Sequence, residues 1–452
     1  MRATKAGQVV ARVRHAYSVR MARFGPEGGD AALYGLSALF ALGTGLLAGL
    51  SAYRVWAWFA LGPYAAAALV SALLARRRAR LGAAISSRGS GRRRRLGSAR
   101  AWTLVLLLVG ATLAPLAVEV SLRNDGPPSS HVQPEVVVIA RAGTRLSKGK
   151  DPYYAIVRHD GRVESAVPGQ PVYESFFPYL PLMAVFGLPK IGRGPVRVTD
   201  TRVLFSIVTL LVVGAALLLL RAPRDHKVRT LQFLTVLPSA ALPLATGGDD
   251  LPIVAFLLLA MALAQRRRPG WSGIVFGIVS AMKFTAWPLA VLALFVARDR
   301  QGRRAPVPMA LGMLLVAGPA VVPFALSNLR AFFDNVVLFP LGASGVTSPA
   351  ASNLPGHLLV LYLPFLHTAL PAAVALVGGA VVLRRLVRRP PVRAGEVLML
   401  TGWIMLVAIA FAPATRVGYL LYPADFFVWA WMFDGADRSE AASLSPTLAA
   451  IT

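Results

Sequence analysis

The sequence predicts an all-α, polytopic membrane protein, and three observations carry that expectation. Apolar residues make up 56% of the 452 positions, above the usual content of soluble globular chains. They gather into runs of roughly 20 residues, the length at which a helix crosses the hydrocarbon of a bilayer. Between the runs sit short arginine clusters, as cytoplasmic loops carry under the positive-inside rule. The net charge of +28 is therefore assigned to those loops and to membrane lipids, not to nucleic acid. The absence of cysteine excludes disulfides and thiolate metal sites.

Each element follows from the same pattern. Residues 1–30 form a basic cytoplasmic tail, too polar for a signal peptide core. Residues 31–100 hold a transmembrane hairpin, at about 31–50 and 55–74, and then the stretch "ARRRARLGAAISSRGSGRRRRLGSAR". That stretch reads as a cytoplasmic loop against anionic headgroups. Residues 101–434 form the main transmembrane domain. Its first span, "WTLVLLLVGATLAPLAVEV", leaves the cytoplasm, which puts a long loop, 122–199, on the outer face. Spans at 201–220, 230–246 and 251–264 follow. The run 271–297 has a basic cluster at both ends, which a single crossing does not satisfy. A helical hairpin broken near "MKFTAWP", where Pro288 interrupts it, does. Spans at 306–326, 357–383, 396–412 and 418–434 bring the total to about twelve spans or half-spans. Residues 435–452 are a polar tail, and parity puts both termini in the cytoplasm.

This topology collects the unusual residues on one side. Glu135, Asp151, Asp249, Asp250, Arg330, Asp334, His357 and Arg416 all fall in outer loops or at outer span ends. Glu135 heads "EVVVIARAG", whose apolar residues suit a segment lying on the membrane surface. With no cysteine and no HExxH spacing, a carboxylate is the available general base, against the plainer reading of a loop glutamate. In "TGGDDLP" a helix cap accounts for one of Asp249 and Asp250; the second is open to a cation or a sugar hydroxyl. Arg416, in "APATRVGYLLYP" beside Tyr419 and Tyr422, is a functional charge or a snorkelling one. Lys283, at the hairpin break, needs an anion such as a lipid phosphate. His357 opens a span within reach of a sugar hydroxyl. Tyr153, Tyr154, Phe176, Phe177 and Tyr179 read as interface-belt aromatics, which the resemblance below would instead make an apolar substrate wall.

The ordered stretches "PEVVVIARAGTRLSKGKDPYY", "FFPYLPLMAVFGLP", "GGDDLPIVAFLLLAMALA", "GIVFGIVSAMKFTAWPLAVLALF" and "APATRVGYLLYP" resemble actinobacterial integral membrane glycosyltransferases of the GT-C fold. More narrowly, they are similar to the polyprenol-phosphate-mannose-dependent mannosyltransferase-like group, over roughly residues 101–434. The resemblance implies a GT-C-like helical bundle that moves a sugar, with inversion, from a polyprenyl-phosphate donor to an extracytoplasmic lipid or glycan acceptor. It implies Glu135 as the base, where the family more often has aspartate, and Arg416 and Lys283 on the donor phosphate. Asp151, Tyr153, Asp249, Asp250, His357 and Tyr419 would then contact substrate. No cofactor is assigned, and a divalent cation is left open. The "FPYLPL" at 177–182 departs from the family's "YPP", and the hairpin at 31–75 precedes the matching spans. Two other readings stand beside this one: a transporter or lipid flippase with its site at the hairpin break, and a membrane scaffold that keeps the fold without the chemistry.

Overall fold

A chain segment in lipid has no water to satisfy its peptide groups, and a helix satisfies them within the segment. A computed structural model describes residues 5–82, 90–127, 129–160, 162–191, 199–302 and 304–449. Among these, eight helices are long and apolar enough to cross a membrane, and three shorter apolar helices accompany them. The expected all-α polytopic architecture is thus observed. The one sheet among the described residues is a two-residue hairpin, β1 (Arg158–His159) against β2 (Arg162–Val163), with Arg158 opposite Val163.

In chain order the helices begin with α1 (Lys5–Leu47), α2 (Ser51–Gly82), α3 (Ser90–Leu107), α4 (Ala114–Asn124), α5 (Pro134–Ser147) and α6 (Thr201–Leu219). Next come α7 (Arg224–Leu231), α8 (Pro238–Thr246), α9 (Asp250–Gln265), α10 (Pro269–Ser280), α11 (Trp287–Gln301) and α12 (Pro306–Ser327). The series closes with α13 (Leu329–Phe333), α14 (Pro355–Tyr362), α15 (Leu366–Arg388), α16 (Ala394–Phe411) and α17 (Leu421–Ala449). Two units are distinguished, residues 1–119 with 235–246, and residues 120–234 with 247–452.

In the first unit α1 packs along α2. Its acidic residues are met by arginines: Arg100 bonds Asp30 at 2.5 Å and Arg78 bonds Glu27 at 3.0 Å. A π-helical turn, Leu108–Leu113, joins α3 to α4. There the Trp56 indole donates to the Ala111 carbonyl at 2.9 Å, and the Thr112 hydroxyl donates to the Thr235 carbonyl at 2.8 Å. The arginine-rich loop lies partly outside the described residues.

The second unit is organised around α9, which is apolar and buried on nearly every side, as a helix without a polar face must be. It packs on α6 and α10. The break expected near "MKFTAWP" is present: α10 ends at Ser280, Lys283 is extended, and a 3-10 turn, Phe284–Ala286, leads into α11. Pro288 falls in the first turn of α11, where a missing N–H costs nothing, so it starts a helix and does not interrupt one. The expected span at 357–383 is also broken, into α14 and α15, at "LPF", whose Pro364 disfavours helix in the residue before it. No residue of α15 is buried; in lipid an apolar helix face needs no protein cover.

The loop 122–199 is more structured than expected. The valines and isoleucine of α5, Val136–Ile139, are buried against the 3-10 segment Pro181–Ile191, which corrects the reading of a segment lying on the membrane surface. Gly143 and Gly187 make that packing possible, since a Cβ on Gly143 would strike the Gly187 backbone and a Cβ on Gly187 would strike the Ile139 carbonyl. The aromatics are an internal core, neither a belt nor an open wall. Phe177 packs edge to face on Tyr179 at 5.3 Å and tilted on Tyr153 at 5.6 Å, Phe176 stacks on Phe339 at 4.4 Å, and all of these are buried. Tyr154 lies under the Arg145 guanidinium at 4.1 Å.

Candidate functional site

The site assembles where the amino end of α5 meets three turns of the second unit. Gln133 is extended, Pro134 opens α5, and Glu135 follows in its first turn, where the helix dipole favours a carboxylate. Its Oε1 accepts from Arg416 Nη1 at 2.5 Å. Its Oε2 is buried and accepts from nothing. Arg416 is extended and precedes the 3-10 turn Val417–Leu420 that enters α17. A strap fixes it on both sides: Ala351 pairs with Thr415, Ser352 N donates to the Thr415 carbonyl at 2.9 Å, and Val417 N donates to Ser352 Oγ at 3.0 Å.

The second half of the site is the turn "TGGDD". Gly247 has φ 115°, and a Cβ there would strike Val136 of α5 and crowd Arg202; only glycine lets the turn approach this closely. Asp249 stands at the N-cap of α9 but its side chain makes no cap hydrogen bond, which corrects the capping reading. Both aspartates turn instead to Lys283 at the α10–α11 break, whose Nζ donates to Asp249 Oδ2 at 2.8 Å and to Asp250 Oδ1 at 2.5 Å. The anion beside Lys283 in the structure is this carboxylate pair. The ammonium also lies 5.3 Å from the Tyr179 ring and 5.5 Å from the Tyr419 ring, within range of cation–π attraction. Tyr422 donates to Asp250 Oδ1 at 2.6 Å and accepts from Thr285 Oγ1 at 2.8 Å.

The two halves share one electrostatic environment. Burial pushes the Asp249 carboxyl up to about 6 against the pull of Lys283, with Asp250 and Glu135 adding to the rise. Three carboxylates thus face two cations, and the surplus negative charge makes room for a proton on Asp249.

Of the residues singled out in the sequence, Glu135, Arg416, Lys283, Asp249, Asp250 and Tyr419 come together here. Asp151, Tyr153 and His357 are engaged elsewhere. Asp151 accepts from Ser327 Oγ at 2.6 Å and from Tyr153 N at 2.9 Å. Tyr153 is buried, and its hydroxyl donates to the Tyr179 carbonyl at 2.9 Å. His357 Nδ1 lies 2.9 Å from the Pro413 carbonyl. Arg330 is exposed, and Asp334 pairs with Arg158 at 2.9 Å. Sequence reasoning missed Tyr422 and Thr285 as members, because nothing local marks a hydroxyl that bonds a carboxylate 172 positions away. No group of three or more His, Asp or Glu suited to a metal ion occurs among the described residues.

Such a site can accept a proton at Glu135 Oε2 and bind an anion at Arg416. A family model for glycosyltransferase family 87 matches residues 177–432. The chain belongs to glycosyltransferase family 87. No curated protein and no solved structure matches it. The region of this GT87 glycosyltransferase that matches contains Asp249, Asp250, Lys283, His357, Arg416 and Tyr419, while Glu135, Asp151 and Tyr153 precede it. Family and fold together make the chain a membrane glycosyltransferase.

Proposed function

We propose that this GT87 chain transfers a sugar, mannose in the first instance, from a polyprenyl-phosphate donor to a lipid or glycan hydroxyl at the outer face of the membrane. The observation that carries the reading is the Glu135–Arg416 pair, with one carboxylate oxygen bound to the cation and the other buried without a donor. An acceptor hydroxyl supplies the missing donor to Oε2. Its oxygen attacks the anomeric carbon, its proton passes to Glu135, and the bond from the anomeric carbon to the phosphate oxygen breaks on the opposite face, so configuration inverts. The leaving phosphate needs no general acid where a cation meets its charge. A guanidinium has five N–H donors, enough to serve a carboxylate and a phosphate together. Arg416 is therefore the leading phosphate ligand. Lys283, already held by two carboxylates, serves the phosphate less directly and keeps Asp249 and Asp250 in place. Asp249, Asp250 and Tyr419 supply polar contacts to the sugar.

The positive-inside pattern supports an outer-face site and cytoplasmic termini, and the resemblance to the mannosyltransferase-like group supports the donor and a GT-C-like bundle. The test is turnover of polyprenyl-phosphate-mannose by protein in nanodiscs with envelope lipid extracts as acceptor. Transfer supports the reading. Donor flux across sealed vesicles without transfer would replace it with the carrier reading, and neither binding nor transfer would leave the scaffold.

A further inference from the structure

Asp250 Oδ1 takes two short hydrogen bonds from two different elements. It accepts from Lys283 at 2.5 Å and from Tyr422 at 2.6 Å, while Asp249 Oδ2 accepts from Lys283 alone among these donors, at 2.8 Å. Tyr422 is itself fixed. It has no exposed surface, it lies in the first turn of α17, and Thr285 of the α10–α11 break donates to its oxygen at 2.8 Å. One hydroxyl therefore ties α17, the start of α9 and the helix break to a single carboxylate. Without it, Asp250 would depend on Lys283 alone, and the ammonium would move toward Asp250 and away from Asp249.

We propose that Tyr422 is a positioning residue: by sharing Asp250 with Lys283 it keeps the ammonium within hydrogen-bond reach of both aspartates, 2.5 Å from Asp250 and 2.8 Å from Asp249, and so holds the Asp249 carboxylate in place. The proposal rests on the transferase reading above and adds to it a residue that touches no reacting atom. Asp249 is faced by Lys283 from the helix break, Asp250 from its own helix and Glu135 from α5, with Tyr179 from the loop beside it. Arg416, Tyr419 and Tyr422 complete the charged and titratable shell, Tyr422 acting on Lys283 directly and Arg416 and Lys283 both acting on Tyr419. Lys283 is the cation bonded to Asp249 and favours its charged form, so a shift of the ammonium is felt as a change in the pH at which Asp249 ionises.

The experiment is the pH–rate profile of polyprenyl-phosphate-mannose turnover in nanodiscs for wild type, Tyr422→Phe and Thr285→Val, with thermal unfolding as the folding control. The acid limb of Tyr422→Phe should move to higher pH by about half to one unit, and that of Thr285→Val should move the same way by less, with rates at high pH restored toward wild type. A merely structural role would scale the whole profile down without moving the limb. Limbs that superimpose on wild type, in a wild type that turns over, would overturn the positioning role and leave the transferase reading intact. A silent wild type would overturn both. Should Tyr422→Phe fold but stay silent at every pH, the Thr285→Val limb decides, and an unmoved limb there overturns the proposal.

Discussion

Replacing Lys283 by methionine keeps most of the side-chain volume and removes the charge. Asp249 and Asp250 would then be two adjacent carboxylates, 3% and 9% exposed, that have lost contacts of 2.8 and 2.5 Å to their shared cation. Breaking a buried pair from one side costs about 3–5 kcal/mol, because an uncompensated charge stays behind. The pH dependence follows from Asp249. Its folded-state value, about 6, already lies above the ordinary 3.8, so its protonated form favours the fold at low pH, and that contribution is lost as pH rises through about 6. Without Lys283 the aspartates hold their protons to still higher pH. The cost of Lys283→Met should therefore be largest near pH 8 and should shrink as pH falls toward 5. Thermal unfolding in nanodiscs at both pH values measures it, with Lys283→Met/Asp249→Asn/Asp250→Asn beside it. The triple variant should recover most of the loss, since neutral amides need no cation. A cost that does not change with pH, or a triple variant as unstable as the single one, would refute this account of the triad.

Arg416→Ala should weaken binding of polyprenyl phosphate at least tenfold, as expected when one charge-assisted contact is lost, and isothermal titration in nanodiscs checks it; unchanged affinity would remove Arg416 from the phosphate. Turnover should fall on the acid side of about pH 6, where Asp249 takes its proton, reaching about a tenth of its plateau at pH 5; a flat profile down to pH 5 would show that Asp249 need not be charged. Gly187→Ala, whose Cβ would strike the Ile139 carbonyl, should destabilise by about 1–3 kcal/mol through overpacking and lower turnover by moving α5, seen as a lower melting temperature with reduced rate; wild-type values for both would mean that α5 and Pro181–Ile191 are not in tight contact.

The spans were legible because the bilayer imposes a length and a hydropathy that a single sequence displays, and the break at "MKFTAWP" was legible because charge at both ends of one apolar run admits few solutions. The split between α14 and α15 has a local marker in Pro364, which a window reading of 357–383 averages away. Glu135, Arg416 and Lys283 drew notice as charges that need partners. Their partners did not, because Arg416 meets Glu135 across 281 positions and Lys283 meets Asp249 across 34. Local rules misled at two points. "DDLP" at a helix start looks like a cap, yet the cation at the helix break outcompetes the backbone for both carboxylates. The aromatics of the loop look like interface residues by composition, and become a core because α5 and the segment 176–191 fold against each other.

The central claim is that Glu135 takes the acceptor's proton. Donor binding and turnover of polyprenyl-phosphate-mannose, measured on wild type and Glu135→Gln in the same nanodiscs, test it most directly. The account predicts that the variant folds, binds donor at least as well as wild type because a competing negative charge is gone, and loses turnover by a factor of at least 10². Turnover at the wild-type rate in Glu135→Gln would contradict it.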